Sequence, residues 1–500
     1  MKENVIVIGA GMGGLQAAIQ LQAAGYQVDL YEQNEQPGGK MHRLNFAGHT
    51  FDVGPTLVMM PDIYREVYSS VGKDPDDYIE LMKVDPMYAV YFADDYRSYQ
   101  VDSDLIHLIE TFEEEGSENA AGFLHYLADI YDRYQVALEH FIRRPFRHKR
   151  DMYNPKMIYQ ALKLKTFDSA GAMMARYIPN PDFQEMLSFQ TLYIGVSPKN
   201  GPSLYNIIPM IELLYGVWTL KGGMHAMARG MARLLIDLGG RIHYGAKVSE
   251  IVTAEGKVKG IRLAGQENLI PGEIVISNAD FPYTMSHLIQ DPQAKGQYNQ
   301  EKIDQMDYSC SCLVFYWAVD GEYPELEGHN FVISQDLDRN LEQIFSGELI
   351  DEPSIYLSIP SKLDPQMAPP GRSSFYCLIP VSELGTAQYQ YDQETIDYYR
   401  DHAYRHLKNL PGLEDIESAI LEEAIFTPMD FADKFSAYRG ATFGLQPTLR
   451  QSNHWRPQSK SLDCQGLYFT GSSTHPGAGV PIAIEGGRIC ASEVRKDYDA

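Results

Sequence analysis

A run of small residues, Gly9-Ala10-Gly11-Met12-Gly13-Gly14, is the first place where residue type and spacing specify chemistry. It follows an apolar run, Val5-Ile6-Val7-Ile8, and leads into a helix expected over residues 15–24 and closed by Gly25. A second strand over residues 27–31 ends at Glu32. Strand, GxGxxG turn, helix, strand and acid within about 30 residues form a dinucleotide-binding unit. Gly9 permits the tight turn, Gly11 lets a pyrophosphate approach the backbone, and Gly14 lets helix and strand pack closely. The helix N-terminus supplies free N–H groups and the positive end of its dipole. Glu32 accepts ribose hydroxyls and disfavours a 2′-phosphate. The next residues favour FAD over NAD. Pro37-Gly38-Gly39-Lys40, Arg43 and Phe51-Asp52-Val53-Gly54-Pro55-Thr56 let the chain fold back over a long cofactor, with Lys40 placed to meet its phosphates. An NAD enzyme would run straight into another βαβ unit.

A second glycine-rich run closes the chain, GLYFTGSSTHPGAGVPIAIEGG over residues 466–487. Residues 467–470 read as a strand. Gly471, Ser472, Gly477 and Gly479 bring backbone close to a planar ring system. Val480 and Pro481 open a helix whose N–H groups can stabilise an anionic reduced ring. His475 is the polar residue of this loop, either a proton carrier or a shaper of the loop. Between the ends, Gly222-Gly223 precede a helix ending at Gly239-Gly240. A strand over 241–251, a hairpin to residue 263 and a strand over 274–277 follow.

These elements imply an α/β protein: a Rossmann-like FAD-binding domain with an inserted α+β substrate domain. The expected FAD domain is discontinuous, built from residues 1–75, 220–300 and 455–500. Residues 76–219 and 301–454 make the substrate-binding, membrane-facing part. The length of 500 residues already calls for more than one core, since single cores stop growing near ~250–300 residues. The charge, 42 − 67 = −25, argues against nucleic acid as a partner. Five scattered cysteines (Cys310, Cys312, Cys377, Cys464 and Cys490) show no CxxC pair and no metal-ligand spacing, which fits a reducing cytoplasm and no metal. The N-terminus does not read as a signal peptide, and no apolar run reaches the ~18 residues of a membrane span.

GAGMGG, YEQNEQPGGKMHRL, FDVGPTLVMMPDIY and the C-terminal run together resemble the FAD-containing carotenoid desaturases of bacteria, the phytoene desaturase family. The segments over residues 189–217 and 308–320, with IFTPMDF and FGLQPTLRQSNHWRPQ, are similar to its thirty-carbon branch. The resemblance covers nearly the whole chain. It implies hydride transfer from a linear isoprenoid precursor, diapophytoene, to flavin in successive steps, with a quinone or oxygen as final electron acceptor. The alternatives are a forty-carbon phytoene desaturase, an oxidase of a carotenoid terminal methyl group, an amine oxidase on the same fold, and a non-catalytic prenyl-binding protein. The family usually has arginine where this chain has Lys40, which keeps the charge and loses the bidentate fork. By the same resemblance the backbone of Val248 touches the adenine end. Arg150-Asp151 matches a proposed acid/base pair; a helix cap or surface salt bridge is the other reading of Asp151.

A substrate without a polar handle needs a long apolar tunnel. Met173, Met174, Met186, Leu187, Phe189, Leu192, Tyr193 and Ile194 could supply it, as could Tyr205, Ile207, Ile208, Met210, Ile211, Leu213, Leu214, Tyr215 and Trp218. Each could equally be ordinary helical core. One basic stretch, residues 141–150, breaks the acidic background with Arg143, Arg144, Arg147, Lys149 and Arg150 among Phe141, Ile142 and Phe146. It suits an anionic membrane surface on the inner face of the cell membrane, or is a solvated loop.

Overall fold

The apolar run after residue 3 forms a strand, Asn4–Ile8, in which Val5, Ile6 and Val7 are wholly buried. Burial on both faces belongs to the middle of a parallel sheet. In the computed structural model, which describes residues 3–146, 149–164 and 168–499, its neighbours are Gln27–Tyr31 and Ile274–Ser277. Arg241–His243 and Leu467–Phe469 complete the five-stranded parallel sheet at its edges. Val5 and Val7 face the helical layer of Met12–Ala23, His225–Asp237 and Val480–Tyr498. Ile6 and Ile8 face a three-stranded meander of Val248–Ala254, Lys257–Leu263 and Ile270–Pro271. The strand expected over 241–251 is therefore two: the chain leaves the sheet after His243 and enters the meander at Val248.

A second, seven-stranded sheet is built around Ser311–Asp320 and Arg372–Val381. Ser311–Asp320 is apolar and β-branched or aromatic almost throughout, and every residue but Asp320 is buried. Its side chains alternate with the two-residue period of a strand. Leu313, Phe315, Trp317 and Val319 join the large core, whereas Cys312, Val314 and Tyr316 meet Phe51 and Val53 of the nucleotide-binding region. All strand pairs in this sheet are antiparallel except His329–Ile333 beside Tyr88–Phe92. Helices Ser117–Ala137, Ala170–Tyr177 and Ile207–Tyr215 pack together over it. All five cysteines are buried and free. Among the described residues no helix is long and apolar enough to cross a membrane.

Candidate active site

The glycine turn is held by contacts that leave no room for side chains. Gly9 has φ +94°, and its N–H donates to the Tyr31 carbonyl at 2.8 Å. A Cβ on Gly14 would stand 2.2 Å from the Gly9 carbonyl oxygen, and one on Gly11 would stand 2.6 Å from Asn278 Nδ2. The helix Met12–Ala23 starts with no side-chain cap and no acid in its first turn. Its N–H groups therefore stay open to an anion. The helix Val480–Tyr498, behind Gly479, begins the same way. Both starts face one continuous cavity of about 870 Å³. That is at the large end of the roughly 300–1,000 Å³ range of ligand sites.

Every residue expected to hold the cofactor lines this cavity except Gly14, which packs beneath the turn. Glu32 is buried and bound to the turn itself. It accepts the Ala10 N–H at 2.7 Å, and the Asn34 N–H and side-chain amide at 2.9 and 3.0 Å. Burial raises its pKa despite these bonds. Lys40 donates to the Thr442 carbonyl at 2.6 Å, and burial lowers its pKa against the pull of Asp280. Its ammonium thus also ties the glycine segment to residue 442. Thr56 shares a 2.5 Å hydrogen bond with Tyr356, and Tyr376 donates to the Gly54 carbonyl at 3.2 Å. The C-terminal loop is clamped by a residue that sequence reasoning did not single out. Arg456 is fully buried and donates to the carbonyls of Thr474 (3.1 Å), Gln451 (3.1 Å), Leu445 (2.8 Å) and Ser472 (2.6 Å). Burial brings its pKa down to about 10. Asn278 under the glycine turn and Asp280, bonded to Ser473 and to the Tyr438 N–H, complete the frame.

His475 lines the cavity, with Nε2 donating to the Arg144 carbonyl at 2.7 Å and the ring edge-on to Phe146 at 5.1 Å. Burial pushes its pKa down to about 4, so the imidazole is neutral at pH 7. It joins segment 141–146 to the C-terminal loop. Arg150 and Asp151 sit on the short helix Lys149–Met152 and are not among the lining residues, although Met152 and Tyr153 are. Within the basic stretch, Arg147, His148 and the side chain of Lys149 lie outside the described residues.

Away from the glycine turn the cavity wall is apolar and aromatic. Tyr356 stacks on Phe331 at 4.6 Å, and Phe331 meets Phe189 at 4.7 Å and Tyr193 at 6.1 Å. The helix Ile207–Tyr215 offers Ile207, Ile208 and Ile211 to the cavity. Leu192, Ile194 and Tyr205 line it as expected, but Met173, Met174, Met186, Leu187, Met210 and Leu213 do not. These six are core: helical periodicity turns Met210 and Leu213 away from the cavity, and the others pack beneath it. Leu214, Tyr215 and Trp218 are also absent from the lining.

Behind this wall lies a carboxyl that sequence reasoning did not single out. Glu212 is wholly buried and accepts the Tyr88 hydroxyl at 3.2 Å, which in turn accepts Gln190 Nε2 at 3.2 Å. Burial pushes its pKa up to about 8. A lone carboxylate in an otherwise apolar helix, IIPMIELLY, was the available signal. Among the described residues no cluster of three or more His, Cys, Asp or Glu could hold a metal.

The flavin-containing amine oxidoreductase family matches residues 12–495. A 4,4′-diapophytoene desaturase (4,4′-diaponeurosporene-forming) from Staphylococcus haemolyticus is 40% identical over 500 residues, 99% of each chain. The crystal structure of an oxidoreductase from Methanosarcina mazei shares the fold, with TM-score 0.63 and 16% identity over 99% of this chain and 100% of that one. So does cyclohexylamine oxidase from Brevibacterium oxydans, with TM-score 0.59 and 12% identity over 100% of both. The chain belongs to the flavin-containing amine oxidoreductases. Within that family it belongs with the 4,4′-diapophytoene desaturases, and it is an FAD-dependent oxidoreductase. Its own residues fit the cofactor: two uncapped helix starts, a glycine cradle that a Cβ would fill, and the buried Thr470 hydroxyl, unpartnered among the described residues.

Two predictions follow from this geometry. Arg456→Met strands four buried carbonyls, each costing about 1–3 kcal/mol. The variant should purify with little or no flavin, read as the ratio of visible to ultraviolet absorbance, while Arg456→Lys retains part of it. The folded protein keeps a proton on Glu212 that the unfolded chain, with the ordinary value of 4.5, has already released. Stability contributed by this group therefore falls as pH rises from about 4.5 to about 8, by up to about 1.4 kcal/mol per unit. In denaturant melts Glu212→Gln should gain on the wild type steadily between pH 5 and 8; a constant difference would contradict the burial of a protonated carboxyl.

Proposed function

We propose that this protein takes a linear thirty-carbon isoprenoid, diapophytoene, out of the membrane and introduces double bonds into it in successive steps. The observation that carries this reading is the single cavity that joins the glycine turn to an aromatic, apolar arm. FAD, when bound, supplies the two-electron acceptor that takes a hydride from the substrate. Glu32 would receive the ribose hydroxyls, the open helix starts at Met12 and Val480 would receive the pyrophosphate and the flavin ring respectively, and Val248 would meet the adenine end. The loop from Gly471 to Pro481 shapes the ring site, with Arg456 fixing its backbone. Thr56, Tyr356, Phe331 and Tyr193 exclude water from the reacting carbons and hold the chain by dispersion and aromatic faces. Those faces also attract the positive charge that develops when a hydride leaves.

The far end of the cavity supports uptake from a bilayer. Tyr153, Ile158, Leu162, Leu449 and Trp455 line the cavity and are nonetheless exposed, by 53, 47, 59, 49 and 54%. Tyr159, 59% exposed, stands on the same helix, Pro155–Lys163. Exposed cations surround them: Arg144, Arg150, Lys156, Lys163 and Arg450. On a chain of net charge −25 this concentration of cations and large apolar side chains fits an anionic lipid surface. The protein works attached to the inner face of the cell membrane, where the hydrocarbon is dissolved.

With FAD and liposomes containing equal diapophytoene and forty-carbon phytoene, the pigment extract should be dominated by thirty-carbon products; a forty-carbon majority would overturn the substrate assignment. Tyr159→Glu with Lys163→Glu should weaken binding to anionic vesicles by about tenfold or more, since each removes an apolar or charged lipid contact. Flavin content should stay unchanged. Equal vesicle binding by variant and wild type would place the docking face elsewhere.

A further inference from the structure

The hydrocarbon arm has two unlike ends. At the mouth, Tyr153, Leu162 and Trp455 line the cavity and stand exposed. At the inner end Phe189, Phe331, Ile333 and Leu337 line it and are all buried, so the arm is blind there. Segments that hold the cofactor flank the path between the two. Trp455 precedes Arg456, which binds the Ser472 and Thr474 carbonyls of the C-terminal loop. Phe331 stacks on Tyr356, whose hydroxyl bonds Thr56. The blind end is an aromatic stop. The rings of Phe189 and Phe331 meet at 4.7 Å. Behind them Tyr88, wholly buried and outside the cavity lining, stands edge-on to both at 6.4 and 5.5 Å. Its hydroxyl donates to Glu212 at 3.2 Å and accepts Gln190 Nε2 at 3.2 Å, so the buried carboxyl braces the stop from behind. Phe331 itself sits inside the seven-stranded sheet, paired with Tyr356 on one side and Val90 on the other. Close-packed rings on a central strand yield far less to a ligand than a flexible methionine would.

We propose that Phe189 and Phe331 are the stop against which the leading end of the substrate is measured, and that they select a thirty-carbon chain over a forty-carbon one by register rather than by volume. The inference rests on the desaturase reading. An arm with an open mouth does not exclude a longer chain, whose far end simply trails out. What the blind end fixes is which bond faces the ring. The carbon that gives up a hydride most readily lies beside the conjugated centre of the precursor, where the polyene shares the developing positive charge. In a symmetric chain that centre is half the length from either end. It is therefore one five-carbon unit further from the stop in a forty-carbon chain than in a thirty-carbon one. With both leading ends against the same rings, only one of the two chains presents its activated bond to the flavin. Phe331→Ala removes six ring carbons, close to that five-carbon unit, and so moves the stop by about the difference between the two substrates.

The test uses FAD-loaded protein and liposomes that carry diapophytoene or forty-carbon phytoene, with the initial rate measured on each. Phe331→Ala and Phe189→Ala should each lower the thirty-carbon rate and raise the forty-carbon rate. The ratio of the two should move by about tenfold or more, the discrimination that a change of pocket size of this kind supports. A variant that is merely damaged would lose both rates together. Flavin content, read first, identifies variants that have not folded. Phe331→Leu keeps more of the packing, should shift the ratio the same way by less, and serves if the alanine variants lose flavin. Ile208→Ala widens the arm from its side without moving its end, and should leave the ratio at the wild-type value. An unchanged ratio in flavin-loaded Phe331 and Phe189 variants would overturn the proposal and leave the desaturase reading intact, as would an equal shift in Ile208→Ala. A wild type that forms no conjugated product from either chain would instead sink the desaturase reading and the proposal with it.

Discussion

A linear hydrocarbon offers an enzyme no charge and no hydrogen bond, so it can be held only by the removal of its surface from water and by close packing. That constraint organises the molecule. The cofactor end needs open backbone N–H groups and an anchored carboxylate; the substrate end needs a dry wall with almost no polar atoms. Both are met in one cavity because the seven-stranded sheet runs its aromatic face up to the segment 53–56, whose Gly54, Pro55 and Thr56 line the same cavity as the glycine turn. Tyr316 and Tyr376 donate to the carbonyls of Val53 and Gly54, and Tyr356 bonds Thr56. The aromatic wall and the loop at the cofactor are thus one rigid assembly, and a hydrocarbon lying against the wall is also held against the ring site.

The polar parts that the dry wall excludes are placed behind it or at its edges. Arg456 satisfies four carbonyls of irregular backbone that would otherwise be buried unpaired. His475 does related work, joining segment 141–146 to the C-terminal loop through a neutral ring. Glu212 stands one side chain back from the cavity, where a carboxyl can influence the site without giving the hydrocarbon a wet surface. The exposed apolar residues around Trp455 and Leu162 are the corollary at the other end. They would be a liability in water, and the proposed docking on a membrane would turn them to lipid.

The sequence made some of this legible and not the rest, for definite reasons. Gly9, Gly11, Glu32 and the loop at residues 471–481 could be placed together at one cavity, with Gly14 beneath it, because they are contiguous backbone in a fixed order of strand, turn and helix. Phe189, Tyr193, Ile207, Ile208 and Ile211 could be placed near a tunnel by composition. The methionines could not be sorted from them, since Met173 and Met210 differ from Ile208 only in which way a helix turns. Arg456, Asn278 and Asp280 act through partners between 5 and about 270 residues away in sequence, so no local spacing announces them. Glu212 could have been read: a carboxylate inside IIPMIELLY has no reason to be there unless it is paired or used.

The most direct test is a structure of the FAD-loaded protein with diapophytoene bound. The account predicts continuous density for the hydrocarbon along Tyr356, Phe331 and Tyr193, its reacting carbons against the flavin ring, and one end emerging beside Leu162 and Trp455. A hydrocarbon bound outside this cavity, or a cofactor that fills the aromatic arm and leaves it no room, would contradict it.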